Sequence, residues 1–227
     1  MFLKKKLAEK IASEGPLSIS KFMEICLWDC DEGYYSKKQI IGKKGDFITS
    51  PELSQTFGEL IGLWSLSYHL NKFKDKKLTL LELGPGKGTL MSDALRAISK
   101  IKKSKIETEA YLLEKSSVLK SIQQKKLLGF NVKWINDIKK MPAKPLIFIA
   151  NEFFDALPIN QYVKVGNGWR ERKIAIKNNK FYITLDKKIM RFRTNYFDNT
   201  PIGGVIEYSF DSMKILSVIC DHVKNFG

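Results

Sequence analysis

The chain has 227 residues, with 39 Lys and Arg against 24 Asp and Glu, a net charge of +15. That length can bury a substantial core and is read as one domain plus additions. No apolar run is long enough to cross a bilayer, so no membrane insertion is expected. Three cysteines (Cys26, Cys30, Cys220) and two histidines (His69, His222) make no metal-ligand set, so no metal is expected. The charge invites a nucleic-acid partner. The lysines, however, fall in short scattered groups such as Lys4 to Lys6 and Lys43-Lys44, and they far outnumber the arginines. Arginine is the side chain suited to planar phosphate recognition. Nucleic acid is therefore set aside for a solvated lysine-rich surface or an acidic protein partner.

The opening Met1 to Lys10 is basic but has no apolar segment after it, unlike a secretory signal. Glu9, Glu14 and the lack of Arg there count against a transit peptide. Leu3, Leu7 and Ile11 give a helical stripe that stops at Gly15-Pro16. Ser18 or Ser20 caps a second helix carrying Phe22, Met23, Ile25, Cys26 and Leu27. Cys26 and Cys30 are read as buried free thiols, which suits a reducing compartment. A turn follows at Asp31 to Tyr35, then a loop rich in Gly and Lys. In Gly45-Asp46-Phe47-Ile48-Thr49-Ser50-Pro51-Glu52, Ser50 reads as an N-cap and Pro51 as the first helical residue. That helix runs on through Phe57, Leu60 and Trp64 to about Leu70. Its N-terminus would form a lid offering free N–H groups to a carboxylate.

Leu78 to Leu83 is a buried strand running into Gly84-Pro85-Gly86-Lys87-Gly88, with a helix after it (Met91, Ala94, Leu95, Ile98). Short apolar runs alternate with helical patterns downstream, which predicts a parallel sheet with crossover helices. Ligands of such folds sit outside the C-terminal strand ends. A phosphate-binding P-loop fails, because Gly88 follows Lys87 where Ser or Thr is required. The dinucleotide spacing fails as well, since the glycines read G-x-G-x-G with Glu82 two residues ahead. A second strand, about Glu109 to Leu113, ends at the acid Glu114. A helix with Val118, Leu119 and Ile122 leads to a third strand, Asn131 to Ile135, and then to Asp137. The fourth strand, Pro145 to Ala150, is apolar throughout and is expected inside the sheet. It runs into Asn151-Glu152-Phe153-Phe154-Asp155, which places two carboxylates and an amide at a central strand end. Carboxylates there suit an amine or guanidinium acceptor.

The pattern then turns to β. Gln161 to Val165 and Trp169 to Ile176 read as a hairpin about Gly166-Asn167-Gly168. Phe181 to Leu185 and Val205 to Tyr208 are further strands, forming a substrate platform or a sheet cover. A last helix runs from about Asp211 to Phe226. The division is thus 1–76, a helical extension and lid; 77–158, the core; 159–210, a β insertion; and 211–227, the start of a further core part.

The glycine loop with its flanking acids resembles that of class I S-adenosylmethionine (SAM) methyltransferases. Over most of its length the chain resembles one group of these, the MidA-like family, which includes a mitochondrial protein arginine methyltransferase of complex I assembly. Gly15-Pro16-Leu17, Gly33-Tyr34-Tyr35, Gly45-Asp46-Phe47, Thr49-Ser50-Pro51-Glu52, Phe57-Gly58-Glu59, Glu82 to Met91, Asn151 to Pro158 and Gly168 to Arg172 carry the resemblance. It implies an α/β, class I methyltransferase (Rossmann-like) fold with a mostly parallel sheet. It implies SAM bound by Glu82, Gly84, Gly86, Gly88, Glu114 on the ribose and Asp137 near the adenine, with Asp46, Thr49 and Glu52 closing over it. Glu152, Asp155 and Asn151 would serve the acceptor, an arginine on a protein such as a complex I core subunit. The location implied is bacterial cytoplasm or mitochondrial matrix, and a homodimer is allowed.

Members of that family continue into a fifth core strand, which this chain lacks. The chain is therefore expected to be truncated, with the fourth strand left as an apolar edge. Alone it would be poorly soluble, self-associated or inactive, unless the β insertion folds back over that edge. The alternatives are an RNA methyltransferase, a non-catalytic assembly module and a nicotinamide-dependent oxidoreductase; the last fits the fold but not the glycine spacing.

Overall fold

The structure, a computed structural model, describes residues 2–29, 31–34, 49–73, 77–101, 106–192 and 195–226. In chain order the first elements are α1 (Phe2–Glu14), β1 (Leu17–Ser18), α2 (Ile19–Trp28), α3 (Ser50–Leu53) and α4 (Gln55–Lys72). The middle of the chain holds β2 (Lys77–Leu83), α5 (Thr89–Ser99), β3 (Glu107–Leu113), α6 (Ser117–Lys126), β4 (Val132–Ile135) and β5 (Ile147–Ile149). The remainder holds β6 (Asn160–Val165), β7 (Gly168–Lys177), β8 (Lys180–Met190), β9 (Val205–Tyr208) and α7 (Phe210–Phe226). Two compact units result: residues 1–37 with 156–214, and residues 38–155 with 215–227. They group stretches that lie far apart in sequence.

The first unit is an antiparallel sheet ordered β1-β7-β6-β9, with β8 also on β7. The expected hairpin forms with Val165 opposite Gly168. The strand expected at Phe181 to Leu185 extends through Lys180–Met190, and the one at Val205 to Tyr208 forms as read. The apolar stripe of α1 is buried at Leu7 and Ile11, which pack with Leu17, Phe22, Ile174 and Phe181. Helix α2 is capped by Ser18, whose side chain accepts the Lys21 N–H at 3.0 Å. Cys26, read as a buried free thiol, is free and half-buried in this layer, and Cys220 is free and exposed; Cys30 lies outside the described residues.

The second unit is a parallel sheet ordered β4-β3-β2-β5. Side chains alternate between its faces. Leu78, Leu80, Ala110, Leu112 and Ile149 face α4 and α5 through Leu66, Leu90, Met91, Leu95 and Ile98. Leu81, Leu83, Tyr111 and Leu113 face the other way, with Ile138, Leu146 and the α7 residues Ile215, Val218 and Ile219. Every residue of β2 after Lys77 is buried, as a strand covered on both faces requires.

Several expectations are corrected. The fourth core strand is only Ile147–Ile149 rather than Pro145 to Ala150; among the described residues it pairs with β2 alone and so lies at the edge expected above. Among the described residues, β6 to β9 of the β insertion bond to one another and to β1. Thr49, not Ser50, is the N-cap of α3, and Pro51 sits one place further in. The helix expected from there to Leu70 breaks at Ser54, whose backbone is extended (φ −143°, ψ 119°). With Ser54 extended, α3 and α4 are separate helices that leave the lid segment as one short turn.

The N-terminal strand ends hold one buried acid. Glu109 is 2% exposed and pairs with Lys133 at 2.6 Å, with Lys77 at 3.8 Å and with Lys144. Burial alone would raise its pKa, but the hydrogen bonds and charges of Lys133 and Lys144 outweigh it and hold the carboxyl at about 2. A depressed acid of this kind stabilises the fold above its unfolded pKa, and that contribution fades as pH falls toward about 2.

Helices α4 and α5 touch through glycine. A Cβ on Gly62 would lie 2.6 Å from Ala94 Cα and 2.6 Å from its carbonyl oxygen, and one on Gly58 would lie 2.8 Å from Asp93 Cβ. Arg96 then ties the pair, reaching Glu59 at 3.0 Å and Asp93 at 2.8 Å. Two effects oppose each other in Gly62→Ala. Helix propensity favours Ala by about 1 kcal/mol. Overpacking against backbone that cannot rotate away costs about 1–3 kcal/mol. The clash should win, so Gly62→Ala lowers the melting temperature, whereas Gly166→Ala, with nothing within 4 Å of its new Cβ, leaves it nearly unchanged. Thermal unfolding of the two variants beside the parent chain checks this.

Candidate functional site

Strand β2 ends at Leu83, and the chain then needs backbone that only glycine adopts freely. Gly84, Gly86 and Gly88 have φ of 64°, 52° and 77°, in the left-handed region. The turn closes with the Gly88 N–H on the Pro85 carbonyl at 2.7 Å, and Gly88 caps α5. A side chain on Gly84 would also collide, since its Cβ would lie 2.7 Å from Phe153 Cδ2. The loops after β2 and β5 therefore approach as closely as they do because position 84 is bare.

Glu114 follows β3, and its backbone N–H bonds the Ile135 carbonyl at 3.0 Å. Its Oε1 accepts the Ser116 N–H at 2.7 Å and its Oε2 accepts the Gln123 amide at 3.0 Å. Burial raises the pKa of this carboxyl, and the hydrogen bonds from Ser116 and Gln123 pull the other way. Each oxygen keeps a lone pair for a further donor.

Glu82 lies on the same strand as the loop, 3% exposed, and its Oε2 has no hydrogen-bond partner. Burial pushes its pKa up to about 8, so at neutral pH it is a proton donor waiting for an acceptor. Glu52, on α3, accepts the Thr89 hydroxyl at the start of α5, which anchors the lid segment beside the glycine loop. Thr49 caps α3 through its backbone only. Asp46, also expected in the lid, lies outside the described residues.

Asn151, Glu152 and Asp155 follow β5. Glu152 and Asp155 are exposed, and Glu152 holds φ 52° without being glycine. Such a conformation costs free energy and clusters at functional loops. Phe153, beside it, seats on Gly84 and meets Phe154 edge-on with ring centroids 5.3 Å apart. Asp137 is placed differently: its side chain accepts the Lys139 N–H at 3.0 Å and caps a short turn at Ile138–Lys140. The structure thus sets Phe153 of the 151–155 loop on Gly84, links Glu114 to Gly86 through Gln123, ties Glu52 to Thr89 after the glycine loop, and gives Asp137 a local capping bond.

Sequence reasoning missed the connectors. Gln123 and Trp134 carry no motif, and Thr89 reads only as part of the glycine-loop stretch. In α6 the apolar pattern pointed to Val118, Leu119 and Ile122, yet Val118 is 43% exposed while the polar Gln123 is fully buried.

Bare glycine backbone, a half-satisfied acid at the second strand end and an orphaned buried acid beneath them fit a small ligand carrying adjacent hydroxyls and a polar tail. Among the described residues no group of three or more His, Cys, Asp or Glu is placed to hold a metal ion. Together with the parallel sheet, this defines a protein of the nucleoside-cofactor α/β class. Residues 60–227 match the family described as "Putative S-adenosyl-L-methionine-dependent methyltransferase". The chain belongs to that family, in its MidA-like branch.

It is 39% identical to "Protein arginine methyltransferase NDUFAF7, mitochondrial" of Xenopus tropicalis, over 96% of this chain and 57% of that protein. It is 32% identical to the Caenorhabditis elegans homolog of that protein, over 99% of this chain and 59% of the relative. It also resembles a solved candidate methyl transferase from Burkholderia thailandensis bound to S-adenosyl-homocysteine, with TM-score 0.78, 25% identity and coverage of 96% of this chain and 58% of that one. The chain therefore spans somewhat over half the length of these relatives.

The Glu82 carboxyl yields a test of the buried acid. Its raised pKa means that the folded state keeps a proton the unfolded chain loses, so wild-type stability falls as pH rises from about 4.5 toward about 8. Glu82→Gln mimics the protonated acid and does not titrate. Its stability relative to wild type should therefore climb across that window by up to about 1.4 kcal/mol per pH unit. Denaturant titrations at pH 5 and pH 8 read the difference; an equal difference at both would show that Glu82 titrates normally.

Proposed function

We propose that the chain is the cofactor-binding part of a SAM-dependent protein arginine methyltransferase. The observation that carries the proposal is the joined set of bare glycine loop, half-satisfied Glu114 and orphaned Glu82. In this reading Gly84, Gly86 and Gly88 leave the backbone open to the cofactor, Glu114 accepts the ribose hydroxyls, and Glu82 donates to a polar group beneath the loop. Asp137 stands near the adenine, and Asp46, Thr49 and Glu52 form the lid. SAM bound there supplies an electrophilic methyl on a sulfonium.

The chain's own task is to align an acceptor and exclude water. Glu152 pairs with the acceptor guanidinium, with Asp155 and Asn151 beside it. A carboxylate pair holds the guanidinium plane by charge-assisted hydrogen bonds and takes up the proton released as the nitrogen is alkylated. The left-handed backbone at Glu152 supports this assignment. The substrate class follows the relatives' names, which specify protein arginine. The resemblance narrows it to a subunit of respiratory complex I, in the mitochondrial matrix, with the bacterial cytoplasm as the setting for bacterial relatives. The protein partner is met as a homodimer or a monomer, which light scattering on the same sample decides.

The test uses labelled SAM with a lysate and the full chain. Label should enter protein arginine rather than RNA. Gly86→Val should abolish SAM binding in a folded protein. Glu152→Gln should keep SAM binding and lose transfer by roughly a hundredfold. Label in RNA would favour the nucleic-acid alternative, and a Glu152→Gln variant that loses only SAM binding would move that residue to the cofactor side.

A further inference from the structure

Among the fully buried polar side chains of this unit, which include Ser65 and Glu109, Gln123 belongs to no motif and touches the glycine loop. Gln123 sits on the inner face of α6 with no exposed surface, in a helix whose remaining polar residues face solvent. Its amide makes three hydrogen bonds. One N–H goes to the Gly86 carbonyl at 2.7 Å and the other to Glu114 Oε2 at 3.0 Å. Its oxygen accepts the Trp134 indole N–H at 2.8 Å.

The orientation of this amide is fixed by chemistry. An indole N–H can only donate, so the Gln123 oxygen must face Trp134. Both amide hydrogens then point at two acceptors, a glycine-loop carbonyl and a carboxylate. The side chain also packs under the loop, for a Cβ on Gly88 would lie 3.3 Å from Gln123 Cγ.

We propose that Gln123 is the positioning residue of the cofactor site, its single amide setting the glycine loop and the Glu114 carboxylate relative to each other, with Trp134 setting the amide. This rests on the reading that Glu114 receives ribose hydroxyls. Each group Gln123 touches belongs to a different segment: the turn after β2, the end of β3, and β4. No backbone ladder ties Gly86 to the Glu114 side chain, so the amide supplies that link. It also supplies a donor to a carboxylate that burial would otherwise push toward its protonated form, which offers one hydroxyl donor where two acceptor oxygens are needed. Gln123 touches neither acceptor nor methyl in this arrangement; it acts through Glu114 and the loop.

The experiment is calorimetric titration of the full chain with S-adenosylhomocysteine and with its analogue lacking both ribose hydroxyls. Gln123→Met keeps length and removes every hydrogen bond. It should weaken S-adenosylhomocysteine roughly tenfold or more, the scale of a lost bond to a charged group, and weaken the analogue much less. Trp134→Phe keeps an aromatic ring against the core and removes the N–H that orients the amide along with the pyrrole half of the indole. It should give a smaller loss with the same dependence on the hydroxyls, and it answers the question if Gln123→Met fails to fold. Combined with Glu114→Gln, either variant should add little further loss. A wild-type chain that binds neither ligand overturns the proposed function and this inference with it. Wild-type binding together with equal losses for both ligands, or none, in the variants overturns this inference alone, because a merely structural Gln123 would not distinguish ribose hydroxyls.

Discussion

Strand β2 is the constraint on which the second unit depends. It is covered on both faces, so its backbone can bond only to β3 and β5 and its side chains must be apolar wherever they lack a partner. The one acid inside it, Glu82, is therefore forced toward its neutral form. The strand also fixes where the chain may turn. Residues after Leu83 leave the sheet between the α5 face and the α7 face, and glycine at positions 84, 86 and 88 lets them do so without side chains in the way. The packing of α4 on α5 through Gly58 and Gly62 follows from the same crowding, since α5 must start directly beneath that turn.

Polar groups divide along the strands. At the N-terminal ends Glu109 is saturated by three lysines, and its full satisfaction marks a structural knot. At the C-terminal ends Glu82 and Glu114 keep unused capacity, and Glu152 holds an unfavourable backbone conformation. Buried polar groups are almost always satisfied, so unsatisfied ones grouped at one end of a parallel sheet point to a ligand there. Two buried acids on adjacent strands thus contrast, one paired with three lysines and one with an oxygen that lacks a partner.

Local pattern read the elements well where one physical cause dominates. The alternation in β6, β7 and β9 and the stripe on α1 each reflect a single buried face. Errors arose where two causes compete. At Ser54 the helical pattern continues but the backbone does not, because the α3 turn and α4 are held by different contacts. At Pro145 to Ala150 the apolar run suggested a six-residue strand, while the ladder of β5 covers only Ile147–Ile149, at the edge expected of it.

The sequence alone determined the strand, the glycine turn and the acids at the strand ends, because hydrophobic periodicity and the positive-φ requirement of a tight loop are local and act through neighbouring residues. It also carried the family resemblance, since the motifs follow one another along the chain. Only the tertiary structure decided how those pieces are joined. Residues 1–37 fold with 156–214 through pairing of β1 on β7, which no local pattern announces. Gln123 looks like one more polar residue on a lysine-rich helix until α6 is laid against the glycine turn and β4. A hydrogen bond between residues 37 apart is set by where two elements meet, and that meeting depends on the packing of the whole sheet.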